Sequence, residues 1–361
     1  NGIIWIGTYA NGLNKIDPLH IAINNLNTKI DIKNTLRNKI TSSFVTDSTG
    51  NVYIATDGDG LRVFDPATGT IKQTYQSTLR DKMSIASDAI LDLHLDKSGS
   101  IWVSTWNGGL SLLNPKSHHF KNFPVQTGLP NSLSGDGIFD IEEDGKGNLW
   151  LAVYQRGIDI FNVATGEFKK MTADINDSLS LSSSKVKVIK SIGAGEFFIG
   201  TENAGVDHIR VDEKYRIIYK KNYGHNADEP ASLSYNVISD IMVDTKKRIW
   251  IATYGGGLNL YNKSTDTFTK YSTKNGLSND LVVSLIEDFE GNIWVGTSDG
   301  LCRLNEHGEI DIFDMGDGLI NDEYYFKSAY IDPSGKLYFG GRNGFDAFYP
   351  NEILINKKVP K

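Results

Sequence analysis

Residues 291–301 read Gly-Asn-Ile-Trp-Val-Gly-Thr-Ser-Asp-Gly-Leu, and this short stretch decides the fold. Its centre is apolar and β-branched on both faces, as expected for a strand packed between neighbouring sheets. Gly300 ends the turn that follows, where a tight strand reversal needs a positive φ. The stretch is one of eight copies, which span residues 2–13, 50–61, 99–110, 147–158, 195–206, 247–258, 291–301 and 335–345.

An aromatic residue occupies the centre of this strand in every copy. Five of the chain's six tryptophans fall at this position, and successive copies are 44 to 52 residues apart. Such regularity indicates a repeat architecture, in which each unit buries its apolar faces against its neighbours. We therefore predict that these residues form the core: Trp5, Tyr53, Trp102, Trp150, Phe198, Trp250, Trp294 and Tyr338.

Each repeat has room for four strands. Upstream of the aromatic strand, apolar segments such as residues 90–95 end on an Asp-x-x-Gly sequence, which is typical of a type I turn. Downstream, an alternating strand such as residues 61–65 and an aromatic strand such as residues 268–271 complete the unit. Four antiparallel strands per repeat, without an amphipathic helical period, predict an all-β fold, a β-propeller of four-stranded blades.

The number of blades depends on the first strand of each repeat. That strand precedes seven of the eight copies, beginning near Ile40, and is missing from the first copy. We therefore expect a propeller in residues 1–350, with seven complete blades in residues 40–350, and an exit linker in residues 351–361. Residues 1–39 are predicted to be an incomplete extra repeat, which either lends a strand to close the ring or is the tail of a preceding propeller. An eight-bladed ring is the alternative.

Composition argues against several classes of function. The formal net charge is −7 and no Lys/Arg-rich stripe offsets it, so we expect no nucleic-acid partner. No apolar run approaches the roughly 20 residues that span a bilayer, so we expect no membrane contact by this segment. Cys302 is the only cysteine, which rules out an internal disulfide.

The sequence does not indicate an enzyme. A glycoside hydrolase needs two carboxylates about 5–10 Å apart, and Asp92, Asp140 and Asp240 occupy corresponding strand positions near the expected axis, but repetition explains them without catalysis. The seven histidines show no metal-ligand spacing, and nucleophile elbows and phosphate loops are absent. We predict no catalytic residue, no metal and no cofactor. The alternatives are a protein-interaction scaffold, a propeller lyase and a glycoside hydrolase.

Residues 4–8 (Ile-Trp-Ile-Gly-Thr) and 255–258 (Gly-Gly-Gly-Leu), together with the Asp-x-x-Gly turns, resemble the two-component regulator propeller repeat. The resemblance covers nearly the whole chain, with departures at Val153, Phe198 and Gly341. It implies the periplasmic sensor propeller of a hybrid two-component system histidine kinase, responding to an oligosaccharide from polysaccharide breakdown. It also implies an adjacent propeller and an immunoglobulin-like domain in the same protein, which we expect to be a homodimer.

The turn between the aromatic strand and the shared glycine varies between copies, while its framework does not. Because the copies are related by the propeller axis, these turns fall on one rim. Aromatic rings there would cover the C–H faces of sugars, and arginines would favour an acidic sugar through bidentate contacts. We predict a ligand site at Trp106, Tyr154, Arg156, Tyr254, Arg342 and Asp57; Tyr9, Glu202 and Ser298 occupy the same turn in other copies.

Two alternatives compete with this rim. Aromatic side chains at blade edges often pack on the next blade, which would make the rim aromatics structural. The loops before the inner strands are the other option: we expect them to form a separate face, suited to a partner. They carry Arg37, Lys39, Arg80, Lys82, Asn131, Asp136, Asn226, Asn279, Asn321, Tyr324 and Tyr325.

Overall fold

The computed structural model describes residues 39–353 together with two strands that precede them, β1 (Ile4–Thr8) and β2 (Gly12–Ile16). Residues 39–353 form seven antiparallel sheets of consecutive strands, which are the blades of a propeller. Blades 1 to 3 comprise β3 (Thr41–Thr46), β4 (Val52–Thr56), β5 (Leu61–Asp65), β6 (Thr70–Tyr75), β7 (Ile90–Leu95), β8 (Ile101–Thr105), β9 (Leu110–Asn114), β10 (His119–Phe123), β11 (Ile138–Glu143), β12 (Asn148–Val153), β13 (Gly157–Asn162) and β14 (Phe168–Met171).

The remaining blades follow the same order. Blades 4 to 6 comprise β15 (Val186–Gly193), β16 (Glu196–Thr201), β17 (Val206–Val211), β18 (Ile217–Tyr223), β19 (Ile238–Val243), β20 (Ile249–Thr253), β21 (Gly257–Asn262), β22 (Thr267–Tyr271), β23 (Val282–Glu287), β24 (Ile293–Thr297), β25 (Leu301–Leu304) and β26 (Ile310–Phe313). Blade 7 has three strands within the described residues: β27 (Tyr324–Ile331), β28 (Leu337–Gly341) and β29 (Gly344–Phe348). Among the described residues, single-turn 3-10 helices lie at Thr273–Asn275, Met315–Asp317 and Pro350–Glu352. The prediction of a seven-bladed all-β propeller is confirmed.

Blade 7 packs against blade 1 and closes the ring. The first strand of each blade is its innermost strand, and each inner strand contacts that of the next blade, including β27 with β3. At the closure, Ile40 pairs in parallel with Gly344, and the Ser328 hydroxyl donates to the carbonyl of Thr41 at 2.9 Å. Phe44 and Phe64 of blade 1 also pack on Phe345 of blade 7, so within the described residues the ring closes through contacts between these two blades.

The glycine shared by all repeats joins each blade to the next. Its N–H donates to a carbonyl in the loop that enters the following blade, as from Gly157 to Ser184 at 2.9 Å. Gly157 has a φ of 87°, and a Cβ there would overlap the carbonyl oxygen of Met171 at the end of the outer strand. Glycine is therefore required for its positive φ and for the close approach. The same donation is made by Gly60, Gly109, Gly205, Gly257, Gly300 and Gly344.

The aromatic position of the repeat lies in the core. The seven aromatic residues between Tyr53 and Tyr338 at this position are at most 4% exposed, so their predicted burial is confirmed. The Asp that opens the preceding turn accepts the indole N–H, from Trp250 to Asp244 at 2.9 Å and from Trp294 to Asp288 at 2.8 Å. The turn sequence and the core packing are therefore linked in these blades, and the same bond runs from Trp102 to Asp96 and from the Tyr338 hydroxyl to Asp332.

The strands β1 and β2 pair with each other as an antiparallel two-stranded sheet. The side chain of Trp5, the turn residue Tyr9 and the loop residue Arg37 lie outside the described residues. The assignments of residues 1–39 to an incomplete repeat and of residues 351–361 to an exit linker stay predictions.

Candidate functional site

The variable turns and the loops that enter the inner strands lie on the same face of the propeller. In blades 1 to 6 the first residue of the turn donates its N–H to the carbonyl just before the inner strand of its own blade, at 2.8–2.9 Å for Trp106, Tyr154 and Tyr254. Because the two strands are antiparallel, the start of one adjoins the end of the other. The expectation that these loops form a separate face is therefore wrong. We call this common surface the upper face, and the end that carries the Asp-x-x-Gly turns the lower face.

Three of the six predicted site residues meet in one cleft. Trp106 from blade 2 and Tyr154 and Arg156 from blade 3 line a cavity of about 540 Å³ on the upper face. The rings of Trp106 and Tyr154 meet edge to face, with centroids 4.9 Å apart. Trp106 thus packs on the next blade, as the structural alternative expects, while Tyr154 keeps 39% of its surface exposed. Packing and an accessible binding wall coexist at this position.

The two turns that frame the cleft hold non-glycine residues at positive φ. Asn107 has a φ of 67° and Gln155 a φ of 54°. At the corresponding position, blades 1 and 5 use Gly58 and Gly255, both also at positive φ. An L-residue in this region is strained, more so for Gln than for Asn. The Gln155 amide donates to the Tyr154 hydroxyl at 2.9 Å, so this turn conformation orients the Tyr154 ring beside the cleft.

Ring contacts extend from the cleft toward the propeller axis. Phe139, on the inner strand of blade 3, has its ring centroid 5.9 Å from that of Trp106 and 5.7 Å from that of Tyr154. The Lys187 Nζ lies 3.7 Å from the Phe139 centroid and 5.9 Å from that of Phe326. The arc continues to Tyr254, whose centroid is 5.2 Å from that of Phe326. We call the five rings the aromatic arc: Trp106, Tyr154, Phe139, Phe326 and Tyr254.

The predicted residue Tyr254 lines a second cavity, at the upper mouth of the central channel. This axial pocket has a volume of about 440 Å³, and Phe139, Phe326 and Lys187 also line it. Tyr254 is 38% exposed and Phe326 is 41% exposed, so both rings present surface to the pocket. Phe139 contacts the cleft aromatics and lines the axial pocket, so it forms a wall between the two cavities.

Asp57 and Arg342 lie apart from the cleft, at the junction of blades 7 and 1. Asp57 accepts a hydrogen bond from the Tyr325 hydroxyl, and burial raises the pKa of Asp57 while this bond opposes the rise. Burial and the nearby Asp57 raise the pKa of Tyr325 to about 12. Arg342 pairs with Glu323 in the neighbouring loop, with 69% of the arginine side chain exposed. The structure therefore brings Asp57 to the edge of the axial pocket through Tyr325, and occupies Arg342 with another carboxylate.

Blade 7 departs from the repeat in its inner strand. Tyr324 pairs with Gly341, and Ala329 pairs with Phe339. Between these two pairs the chain advances five residues along β27 but only two residues along β28. In the other six blades the shift at this place is a single extra residue, as between Ile90 and Asp92. The longer bulge contains residues 325–327, and Lys327 within it has a φ of 54°. It directs the side chains of these residues toward the central channel, where all three line the axial pocket.

Lys327 separates the axial pocket from a lower cavity of about 700 Å³, because its side chain lines both. Its Nζ pairs with Asp140 and lies 3.3 Å from Asp92 Oδ2. Burial would lower the pKa of Lys327, but the carboxylates of Asp140 and Asp92 raise it above its ordinary value. The ammonium is therefore held between blades 2 and 3, across the channel from the strand that carries it.

The carboxylates at the axis also connect neighbouring inner strands. Asp92 accepts the N–H of Ile141 at 3.1 Å, and Asp240 accepts the N–H of Leu285 at 2.8 Å. Burial raises the pKa of Asp240 to about 6 against the opposing charge of Lys327. Burial likewise raises the pKa of Asp140, and Lys327 opposes the rise. These carboxylates thus have structural partners. Among residues 39–353, no group of three or more His, Cys, Asp or Glu side chains is placed to hold a metal ion.

The sequence reasoning missed Phe139, Lys187, Phe326 and Lys327. A signal existed for Lys187, which is the second residue of its inner strand, where the other blades carry Ser, Leu, Phe, Val or Tyr. A weaker signal existed in blade 7, where the sequence predicts Tyr325 to lie in the loop before the inner strand. The bulge that turns residues 325–327 toward the channel was not visible in the spacing of the aromatic strands.

Comparisons with known proteins agree with this fold. The family model described as "Two component regulator propeller" matches residues 232–255 and 276–299, which confirms the resemblance seen in the repeats. Histidine kinase P4 of Formosa agariphila is 27% identical over an alignment of 193 residues, and the match covers 39% of this chain and 14% of that protein. This chain therefore covers a small part of that relative.

Solved structures give the same result over most of the chain. The extracellular domain of a hybrid two-component system from B. thetaiotaomicron is 25% identical, with a TM-score of 0.75 over 97% of this chain and 44% of that one. A streptogramin B lyase is 14% identical, with a TM-score of 0.65 over 91% of this chain and 97% of the lyase, a likeness that concerns the fold alone. The chain is thus a propeller domain similar to that of an extracellular two-component sensor.

No helix in the described part of the chain has the length and apolarity needed to cross a membrane.

Proposed function

We propose that this propeller is the ligand-sensing part of an extracytoplasmic two-component regulator, and that it binds an oligosaccharide along the aromatic arc. The observation that carries the proposal is the convergence of Trp106, Tyr154 and Arg156 on one cleft of about 540 Å³. Rings with exposed faces bury the C–H surfaces of sugars, and nearby polar groups take up the hydroxyls. We assign no catalytic role to this segment.

The extent of the arc supports an extended ligand. Phe139 lines the axial pocket and contacts Trp106 and Tyr154 of the cleft. Tyr254 and Phe326 continue the aromatic surface beyond it. A linear oligosaccharide can place one unit in each cavity, which a single monosaccharide cannot do. The similarity to the extracellular domain of a hybrid two-component system supports a periplasmic setting and a regulatory role.

A signal from this site requires two arrangements of the receptor that bind the ligand with different affinity. We propose that these differ in the packing of this propeller against an adjacent propeller or immunoglobulin-like domain of the same protein, or between the subunits of a homodimer. A histidine kinase elsewhere in the protein would receive the change.

Calorimetric titration with a panel of defined oligosaccharides tests the proposal. We expect Trp106→Ala and Tyr254→Ala each to weaken binding about tenfold or more, corresponding to about 1.4 kcal/mol. Phe289→Ala is the matched control, because Phe289 is an aromatic residue that is 72% exposed in an Asp-x-x-Gly turn of the lower face. Its substitution should leave the affinity unchanged.

Three outcomes would reject the proposal. If Trp106→Ala and Tyr254→Ala bind a proven ligand as tightly as the unchanged protein, the upper-face site is wrong. If chromatography after overnight incubation shows that the oligosaccharide is cleaved, the segment is a lyase or hydrolase. A propeller that binds only protein partners would give no heat with any oligosaccharide of the panel.

A further inference from the structure

Lys187 lines the axial pocket and has no ion-pair partner among the described residues. It is the second residue of β15, and its side chain reaches the upper mouth of the channel between Phe139 and Phe326. Burial lowers the pKa of Lys187, and Glu202, which also lines the pocket, opposes this effect. Within residues 39–353, no carboxylate oxygen lies within the 4.0 Å that defines an ion pair with its Nζ.

The contrast with Lys327 shows what is missing at Lys187. Lys327 lies deeper along the same channel and has two carboxylates, Asp140 and Asp92, within ion-pair distance. Lys187 has instead the face of Phe139 at 3.7 Å, which attracts a cation but carries no charge. Desolvating an ammonium without an anion is unfavourable. An anion that enters the pocket would therefore meet a cation that is already partly stripped of water.

We propose that the axial pocket binds an anionic group of a saccharide, a carboxylate of a uronic acid or a sulfate ester, with Lys187 as its counter-charge. This proposal rests on the proposed function and names the ligand class of the same face. The lysine ammonium is a compact positive charge that can pair with either oxyanion. The exposed rings of Tyr254 and Phe326 are placed to cover the C–H face of the same sugar unit.

The position of the pocket also fixes where the rest of the ligand lies. Phe139 separates Lys187 from the cleft that Trp106 and Tyr154 form, so the neighbouring sugar unit falls on those two rings. Arg156 lines that cleft and supplies a second cation for a ligand whose neighbouring unit is also acidic. Deeper entry along the axis is limited by Lys327, which the carboxylates hold across the channel.

Lysine-selective NMR on the whole segment measures the anion at Lys187 directly. Lysines labelled with ¹³C at Cε give one signal each, and the signal that disappears in Lys187→Met identifies the residue. The probes are glucuronate, glucose 6-sulfate and glucose, which share a ring and differ in charge. We expect glucuronate or glucose 6-sulfate to shift the Lys187 signal to saturation and to raise its pKa, while glucose does neither.

A matched lysine distinguishes binding from general ionic effects. Lys121 also lies over an aromatic ring, with its Nζ 4.9 Å from the Phe123 centroid, but Phe123 belongs to the outer strand of blade 2. Its signal should not move with any probe. In calorimetry, Lys187→Met should bind the effective anion roughly tenfold or more weakly, as expected when a charged hydrogen-bonding partner is removed.

The two proposals fail in different ways. If neither anion shifts the Lys187 signal, or if Lys187→Met binds both anions as well as the unchanged protein, the axial anion site is wrong. If the anion site fails but a neutral oligosaccharide binds, and Trp106→Ala weakens that binding, the proposed function stands without the anion site. If both anions bind at Lys187 with equal affinity, negative charge alone defines the ligand class. If only one of them binds, it identifies whether the pocket takes a carboxylate or a sulfate ester.

Discussion

Replacing Lys327 by Met removes the ammonium that bridges the inner strands across the channel. Breaking a buried ion pair by removing one partner costs about 3–5 kcal/mol, because the remaining charge is left uncompensated. The Lys327 side chain is 23% exposed, so we expect the lower end, about 3 kcal/mol at pH 8. Met keeps the unbranched side chain, and it meets the same backbone strain at the positive φ of this position.

The loss should depend on pH in a defined direction. Burial raises the pKa of Asp140 and Asp240 above the ordinary value of 3.8, that of Asp240 to about 6. The folded state therefore takes up protons that the unfolded state does not, and stability linked to these groups falls as the pH rises through this window. In the unchanged protein, the positive charge of Lys327 stabilises the ionised carboxylates and so reduces this loss of stability. The deficit of Lys327→Met should be largest at pH 8 and clearly smaller at pH 5.

Urea unfolding at pH 8 and at pH 5, followed by tryptophan fluorescence, measures both effects. Lys97→Met is the control, because the Lys97 side chain is 83% exposed and its Nζ is 3.9 Å from Glu143. We expect it to stay within about 0.5 kcal/mol of the unchanged protein at both pH values. A Lys327→Met variant that loses less than about 1 kcal/mol at pH 8, or equally at both pH values, would refute the reasoning.

Two further predictions concern the repeat. Trp250→Ala should lower the free energy of unfolding by about 3–5 kcal/mol, because it removes a buried ring and the indole donor to Asp244; a loss below about 1 kcal/mol in urea unfolding would contradict its place in the core. Gly157→Ala should destabilise by more than Gly166→Ala, for which we expect about 1–2 kcal/mol. Both glycines have positive φ, but only at Gly157 does the new Cβ meet another residue within 4 Å, so equal losses would show that the carbonyl of Met171 moves aside freely.

The fold could be predicted because the same sequence pattern recurs in every repeat. The aromatic strand, the shared glycine and the Asp turn each fix one element, and they recur in phase along the chain. The structure adds a physical link between them, since Asp244 binds the indole of Trp250 and Gly157 binds the loop of the next blade. The repeated strands and turns, and the number of seven blades, could therefore be predicted from the sequence.

Only part of the candidate site could be predicted from the sequence. Trp106, Tyr154 and Arg156 belong to adjacent copies of one turn, so the axis alone brings them together. Phe326 reaches Tyr254 because a bulge in blade 7 carries it toward the channel, and no periodicity encodes that bulge. The separate-face interpretation of the loops failed because it ignored that antiparallel neighbours start and end at the same edge.

A ring of equivalent blades would present equivalent side chains around its axis, and a ligand on that axis would meet the same contact from every side. This propeller departs from equivalence at its upper mouth. At one inner-strand position, blade 3 carries Phe139 and blade 4 carries Lys187, where blades 1 and 5 carry serine. Blade 7 adds Phe326 by its bulge. The apolar surface and the positive charge thus lie to one side of the axis, next to the cleft of Trp106 and Tyr154. An asymmetric, directional ligand fits this arrangement, which is why the departures from the repeat, and not the repeat itself, locate the site.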